Sequence, residues 1–148
     1  MMRPSSLAVL DGDLAAQLEH VPEEQLRAAA LAAVRFALAR TPLTEPAIAA
    51  GLAALDQRRY GDAGGVRPEL ESLVNEYDQR QWTLQDEGRG DAPEYFDAFE
   101  KARAANTVYY ALDPDPWLAA TRAIYDAEAA TNDLAGLRQE VQRVLQAS

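Results

Sequence analysis

The chain has no cysteine, which excludes disulfides, thiolate nucleophiles and cysteine-ligated zinc. It has a single histidine, His20. Beside Glu19 and Pro22, with no nucleophile pattern near it, that imidazole reads as a capping or surface residue rather than a catalytic base. β-Branched residues are scarce, whereas alanine fills 30 of the 148 positions. That imbalance turns the chain toward helix before any periodicity is read. Long apolar runs are also missing, because Arg27, Arg35 and Arg40 interrupt the most apolar segment. No membrane-spanning segment is expected, and the patch Leu7–Leu10 is too short for a signal-peptide core. Together these absences predict a cytoplasmic protein.

Basic residues run short in one place. Residues 62–100 hold 11 acidic side chains against only Arg67, Arg80 and Arg89, which accounts for most of the net charge of −10. Such a surface repels a phosphate backbone, so no nucleic acid partner is expected. It attracts a basic protein surface. The plainer meaning of such a run is a solvated face that keeps an alanine-rich chain dispersed.

What is present is a set of helix signals. A short helix is expected near Asp13–Glu19, after a flexible segment over residues 1–12. Longer helices start at Pro22-Glu23, at Thr44-Glu45-Pro46 with Thr44 as N-cap, at Pro68-Glu69, at Pro93-Glu94, at Asp115-Pro116 and at Asp133. Apolar residues recur at helical spacing: Leu26, Ala30, Ala33, Val34, Ala37 and Leu38, then Ile48, Leu52 and Leu55, then Leu70, Leu73, Val74, Tyr77 and Leu84. The second half adds Tyr95, Phe96, Phe99, Ala102, Val108, Tyr109, Tyr110 and Leu112, then Trp117, Leu118, Ile124 and Tyr125, then Leu134, Leu137, Val141, Val144 and Leu145. The predicted fold is an all-α single domain, a bundle of about six helices.

The helices also read as two related triplets. Val34-Arg35-Phe36-Ala37-Leu38 aligns with Val108-Tyr109-Tyr110-Ala111-Leu112, and Glu45-Pro46-Ala47-Ile48-Ala49-Ala50 with Asp115-Pro116-Trp117-Leu118-Ala119-Ala120. The match closes at Gly61-Asp62 against Asn132-Asp133. The repeat-like halves are about 21–85 and 92–147. One such unit would leave an apolar face that a second copy covers.

Motifs for chemistry are absent. Gly61–Gly65 lacks the Gly-Lys-Ser/Thr ending of a phosphate loop. The Glu-x-x-His pattern of ferritin-like metal sites does not occur. Asp97 with Glu100, and Asp126 with Glu128, read as helix-surface acids rather than metal ligands. Glu76 and Arg80 are spaced for an i,i+4 pair. No catalytic residue, cofactor or metal ligand is predicted.

The aromatics concentrate in the second half, where most are expected to enlarge the core. Adjacent aromatics lie about 100° apart on a helix, so some must approach the surface. Trp82 and Tyr95, with Tyr110 or Trp117, are expected to form a patch rimmed by Asp86, Glu87, Asp91, Glu94 and Asp97. Aromatics inside an acidic rim suit a protein-binding anchor. In size and charge the chain resembles immunity proteins, which neutralise a toxin by covering its basic cleft. The first functional expectation is therefore an acidic, non-enzymatic protein that engages a basic partner, such as a toxin, around residues 69–100. A self-associating scaffold, with a homodimer, is the second. The third is a small-ligand binder or enzyme with a carboxylate, tyrosine and arginine pocket between the halves.

Overall fold

Proline and acidic side chains set where the helices begin. The computed structural model describes residues 3–61 and 63–147, with the backbone alone at Ala63. Among these the chain is all-α. Its helices are α1 (Ser6–Leu10), α2 (Gly12–Leu18), α3 (Glu23–Arg40), α4 (Pro46–Asp56), α5 (Val66–Asp86), α6 (Pro93–Ala111), α7 (Pro116–Thr131) and α8 (Leu134–Gln146). A 3-10 turn at Ala63–Gly65 leads into α5. Pro46, Pro93 and Pro116 each open a helix, where a missing N–H costs nothing. Asp11, Asp115 and Asp133 accept hydrogen bonds from the first-turn amides of α2, α7 and α8, satisfying donors the helix leaves orphaned.

Two starts differ from expectation. Thr44 does not cap α4; Glu45 occupies that position and makes no side-chain cap bond. Its carboxylate instead accepts the Tyr77 hydroxyl, which ties the start of α4 to α5. Burial and that bond raise the Tyr77 pKa. Helix α5 starts at Val66, two residues before Pro68.

Residues 6–10, within the segment expected to be flexible, form a helix. Ser5 caps α1 by accepting the Ala8 amide at 3.1 Å, and Leu7 is fully buried. Asp11 both caps α2 and faces Arg138 of α8 at 3.5 Å. A single anchoring leucine and two caps thus dock this stretch onto α7 and α8.

The core is built on small side chains. Helix α6 lies between α5 and α7, while α3 crosses α7, α8 and α6. Their buried faces are largely alanine: Ala29, Ala30 and Ala33 on α3, Ala102, Ala104 and Ala105 on α6, Ala119, Ala120, Ala123 and Ala127 on α7. Short side chains let helix axes approach closely. At Gly51 of α4 an added Cβ would sit 2.6 Å from Val108 Cγ1 and 3.2 Å from Leu70 Cδ1. Only glycine fits there without displacing its neighbours.

The aromatics therefore do not enlarge the core as expected. In the second half only Trp117 is buried; Tyr95, Phe99, Tyr109 and Tyr110 are half-buried, and Phe96 and Tyr125 are exposed. Alanine faces leave no room for rings between the helices.

The two helix triplets, α3–α5 and α6–α8, share their order and a proline at the start of the middle helix. Their packing differs. Helices α6 and α7 pack along their length, whereas α3 and α4 hardly touch. Leu52, expected on the core face of α4, is 37% exposed as a result. Asp62, which closes the aligned segments, lies outside the described residues. Among the described residues no helix is long and apolar enough to cross a membrane.

Candidate functional site

Helices α5 and α6 form a hairpin that reaches beyond the core. Helix α5 packs on α6 and α4 but makes no substantial contact with α3, α7 or α8. Asp78 faces Arg103 across the pair at 3.4 Å. In an antiparallel register this brings Trp82 level with Phe99, and Asp86 level with Tyr95. Leu84 and Ala98 are buried within this distal part but stand outside the main apolar cluster. The hairpin end is therefore held by its own small contact rather than by the central core.

This end carries the residues expected from the sequence. Trp82 is 56% exposed. Tyr95 is half-buried and meets Phe96 edge-on, ring centroids 5.5 Å apart. Asp86, Glu87, Asp91, Glu94 and Asp97 are all exposed. Tyr110 and Trp117 do not join them. Tyr110 sits 15 residues along α6 from Tyr95, about 22 Å away at 1.5 Å per residue. Trp117 is buried at the start of α7, with the Arg3 guanidinium 5.0 Å from its ring centre. Phe96, 52% exposed, takes their place. The sequence signal for it was its position beside Tyr95, since two adjacent side chains cannot share one helix face.

The charges at this end are only partly balanced. Glu94 pairs with Arg89 at 3.2 Å, and Asp97 with Lys101 at 3.0 Å. Asp86, Glu87 and Asp91 have no ion-pair partner among the described residues. Asp86 and Glu87 also stand at the C-terminal end of α5, whose last turn holds no basic residue. The helix dipole makes that end negative even though the amides of Glu87, Gly88 and Arg89 cap its carbonyls, so two further carboxylates there are unfavourable. A cation brought to this point would relieve that repulsion. The expected Glu76–Arg80 pair does not form; Arg80 lies over the Tyr77 ring instead, 5.2 Å from its centre.

A second feature lies between α3 and α4, within the first half, with Ala111 alone reaching it from the second half. A cleft of about 600 Å³ is bordered by Glu23, Glu24, Arg27, Leu31, Leu55, Arg58, Tyr60 and Ala111. Arg27 lies 3.6 Å over the Tyr60 ring. Its guanidinium donates to the carbonyls of Ala111, Asp113 and Pro114 at 3.3, 2.7 and 2.9 Å. Burial lowers its pKa. Because its terminal donors are spent on the carbonyl of Ala111 and on those of the α6–α7 connection, Arg27 ties α3 to the end of α6.

A third cluster links α5 and α7 through a side chain of α6; its Asp126 is buried, while Arg103 and Asp78 are half-buried. Arg103 of α6 reaches Asp78 of α5 at 3.4 Å and Asp126 of α7 at 3.6 Å. Asn106 donates to Asp126 at 3.0 Å, and Gln81 to Asp78 at 3.1 Å. Burial pushes the Asp126 carboxyl up to about 6, against the pull of Arg103, Asn106 and Arg122. No group of three or more His, Asp or Glu is placed to share a metal ion among the described residues.

Comparison with known protein families, with curated proteins and with solved structures found no match.

Proposed function

We propose that the chain is a non-enzymatic cytoplasmic binding protein whose α5–α6 hairpin end captures a basic protein. One observation carries this reading. Asp86, Glu87 and Asp91 have no cation of their own, and they stand on the same hairpin end as the exposed rings of Trp82 and Phe96. The acids would steer a basic partner in, and the rings would hold it once docked. A toxin neutralised through its basic cleft is the partner class that fits. The repeat-like halves, 21–85 and 92–147, form part of this proposal. A duplication would account for the shared helix order and the matching Pro46 and Pro116, and the hairpin is the join between the copies.

The test begins with a basic protein captured by the chain from its native host. Reversing Asp86, Glu87 and Asp91 to lysine should cut its association rate about tenfold or more at low salt. Rising salt should erase most of that difference. Trp82→Ala with Phe96→Ala should instead quicken dissociation. An association rate indifferent to both salt and the reversals would end this reading.

The cleft beside Arg27 favours a second reading, a small-ligand site, because it joins arginine, tyrosine and carboxylates between α3 and α4. It ranks below the first because Arg27 already serves the end of α6. A ligand that raises the melting temperature of the wild type but not of Leu31→Glu would favour it.

A further inference from the structure

Helix α3 is covered on only part of its circumference. Ala28, Leu31, Arg35 and Leu38 follow helical spacing along its outer side, and an open cleft runs beside them on each flank. Toward α4 the clefts measure about 600 and 470 Å³, and toward α8 about 520 Å³. Leu31 borders all three. This is the place where α3 and α4 fail to close on each other, leaving Leu52 exposed on the far wall.

We infer that this face is the interface of a two-fold homodimer, the α3 ridge of each copy entering the α3–α4 cleft of the other. Charge selects a second copy as the occupant. The side chains bordering the three clefts comprise four acids and five arginines. The chain as a whole carries −10, so this face is close to neutral on a strongly acidic molecule. Meeting on the acidic hairpin would press like charges together; the faces that meet here are close to neutral.

The pattern is also self-complementary, as a two-fold interface requires. Arg35 and Asp56 border the same cleft from opposite walls, and neither has an ion-pair partner among the described residues. Across a two-fold axis each Arg35 meets the Asp56 of the other copy. The exposed Leu52, with Leu31 and Leu38 half-buried against the core, supplies the apolar centre, and ridge-into-cleft packing covers what remains open.

This association has a salt dependence opposite to that of the hairpin. The contact itself is apolar and locally balanced, while the rest of each copy repels its twin. Screening shortens that repulsion from about 30 Å at 0.01 M salt to about 8 Å at 0.15 M. Dimerisation therefore tightens as salt rises. None of the residues used here belongs to the hairpin end, so this inference and the hairpin proposal stand or fall separately.

Sedimentation of the full chain over a range of protein and salt concentrations is the test. A monomer–dimer equilibrium that tightens with salt is expected. Leu31→Glu should leave a monomer with an unchanged helical circular dichroism spectrum. Arg35→Asp and Asp56→Arg should each weaken the dimer about tenfold or more. The double swap should restore it, which keeps the test decisive even if Leu31→Glu fails to fold. A monomer at the highest concentration in high salt would overturn the inference. So would a dimer that survives Leu31→Glu, or a double swap weaker than either single change.

Discussion

Arg103→Met is expected to lower the unfolding free energy by about 1–3 kcal/mol at neutral pH. Methionine keeps the length of the arginine stem and removes its charge and donors. In the wild type the guanidinium spans Asp78 and Asp126, which reach it from α5 and α7. Without it, Asp126 is a buried carboxylate facing another carboxylate, with only Asn106 hydrogen-bonded to it and Arg122 acting at longer range. A buried charge left without its cation is costly, and the uptake of a proton by Asp126 limits that cost. The loss should shrink in mild acid, because Asp126 can then shed its charge by taking up a proton. Urea titration followed by circular dichroism at two pH values checks both points. A loss under about 1 kcal/mol would mean that the cluster behaves as an ordinary surface ion pair.

The second large effect concerns Asp126 itself. Burial raises its carboxyl from 3.8 to about 6 in the folded chain. Between those values the folded protein keeps a proton that the unfolded chain has released. The stabilisation from the neutral form is thus complete below about pH 4 and is lost as pH rises through 6. A rise of about two units corresponds to roughly 3 kcal/mol. The groups facing it are Arg103 and Asn106 from α6, Arg122 on its own helix, and Asp78 from α5. Asp126→Asn holds the neutral form at every pH, and the Asn106 amide can turn to meet it. The wild type should lose ground to this variant as pH climbs from 4 to 7, by up to about 3 kcal/mol. Taking the difference between the two proteins cancels the other carboxylates. Parallel stability profiles would refute the raised carboxyl.

Much of the fold was legible because its signals are local. Pro46, Pro93 and Pro116 each mark a helix start that holds, since the ring restricts the backbone regardless of what packs nearby. The apolar stripe of α5 is buried at every expected position. The misses share a different origin. Periodicity gives the side of a helix that is apolar, not whether a neighbour covers it. Leu52 lies on the stripe of α4, yet α3 stands too far off to bury it. Phe96 and Tyr125 were counted toward a core that alanine had already narrowed. The Asp78–Arg103–Asp126 cluster was invisible because its members, about 25 residues apart along the chain, each look like ordinary surface charges. At the candidate site the acids and Trp82 were readable as a run. Their meeting with Phe96 rather than Tyr110 or Trp117 depends on helix length, which fixes which end of α6 each ring occupies.

The small contact of Leu84 with the hairpin end has a consequence for motion. That contact stands apart from the main apolar cluster, and the acids beside it oppose the dipole of α5. Opening the last turns of α5 and the first turns of α6 therefore breaks few contacts and lets like charges separate. Backbone amides near Asp86 and Tyr95 should exchange with deuterium through local opening, at a free energy below that of global unfolding. Those of Leu70 and Val108, packed at Gly51, should wait for the whole molecule. A bound cation would close that gap, so slowed exchange confined to the hairpin end would record an encounter at this end even before its partner is known.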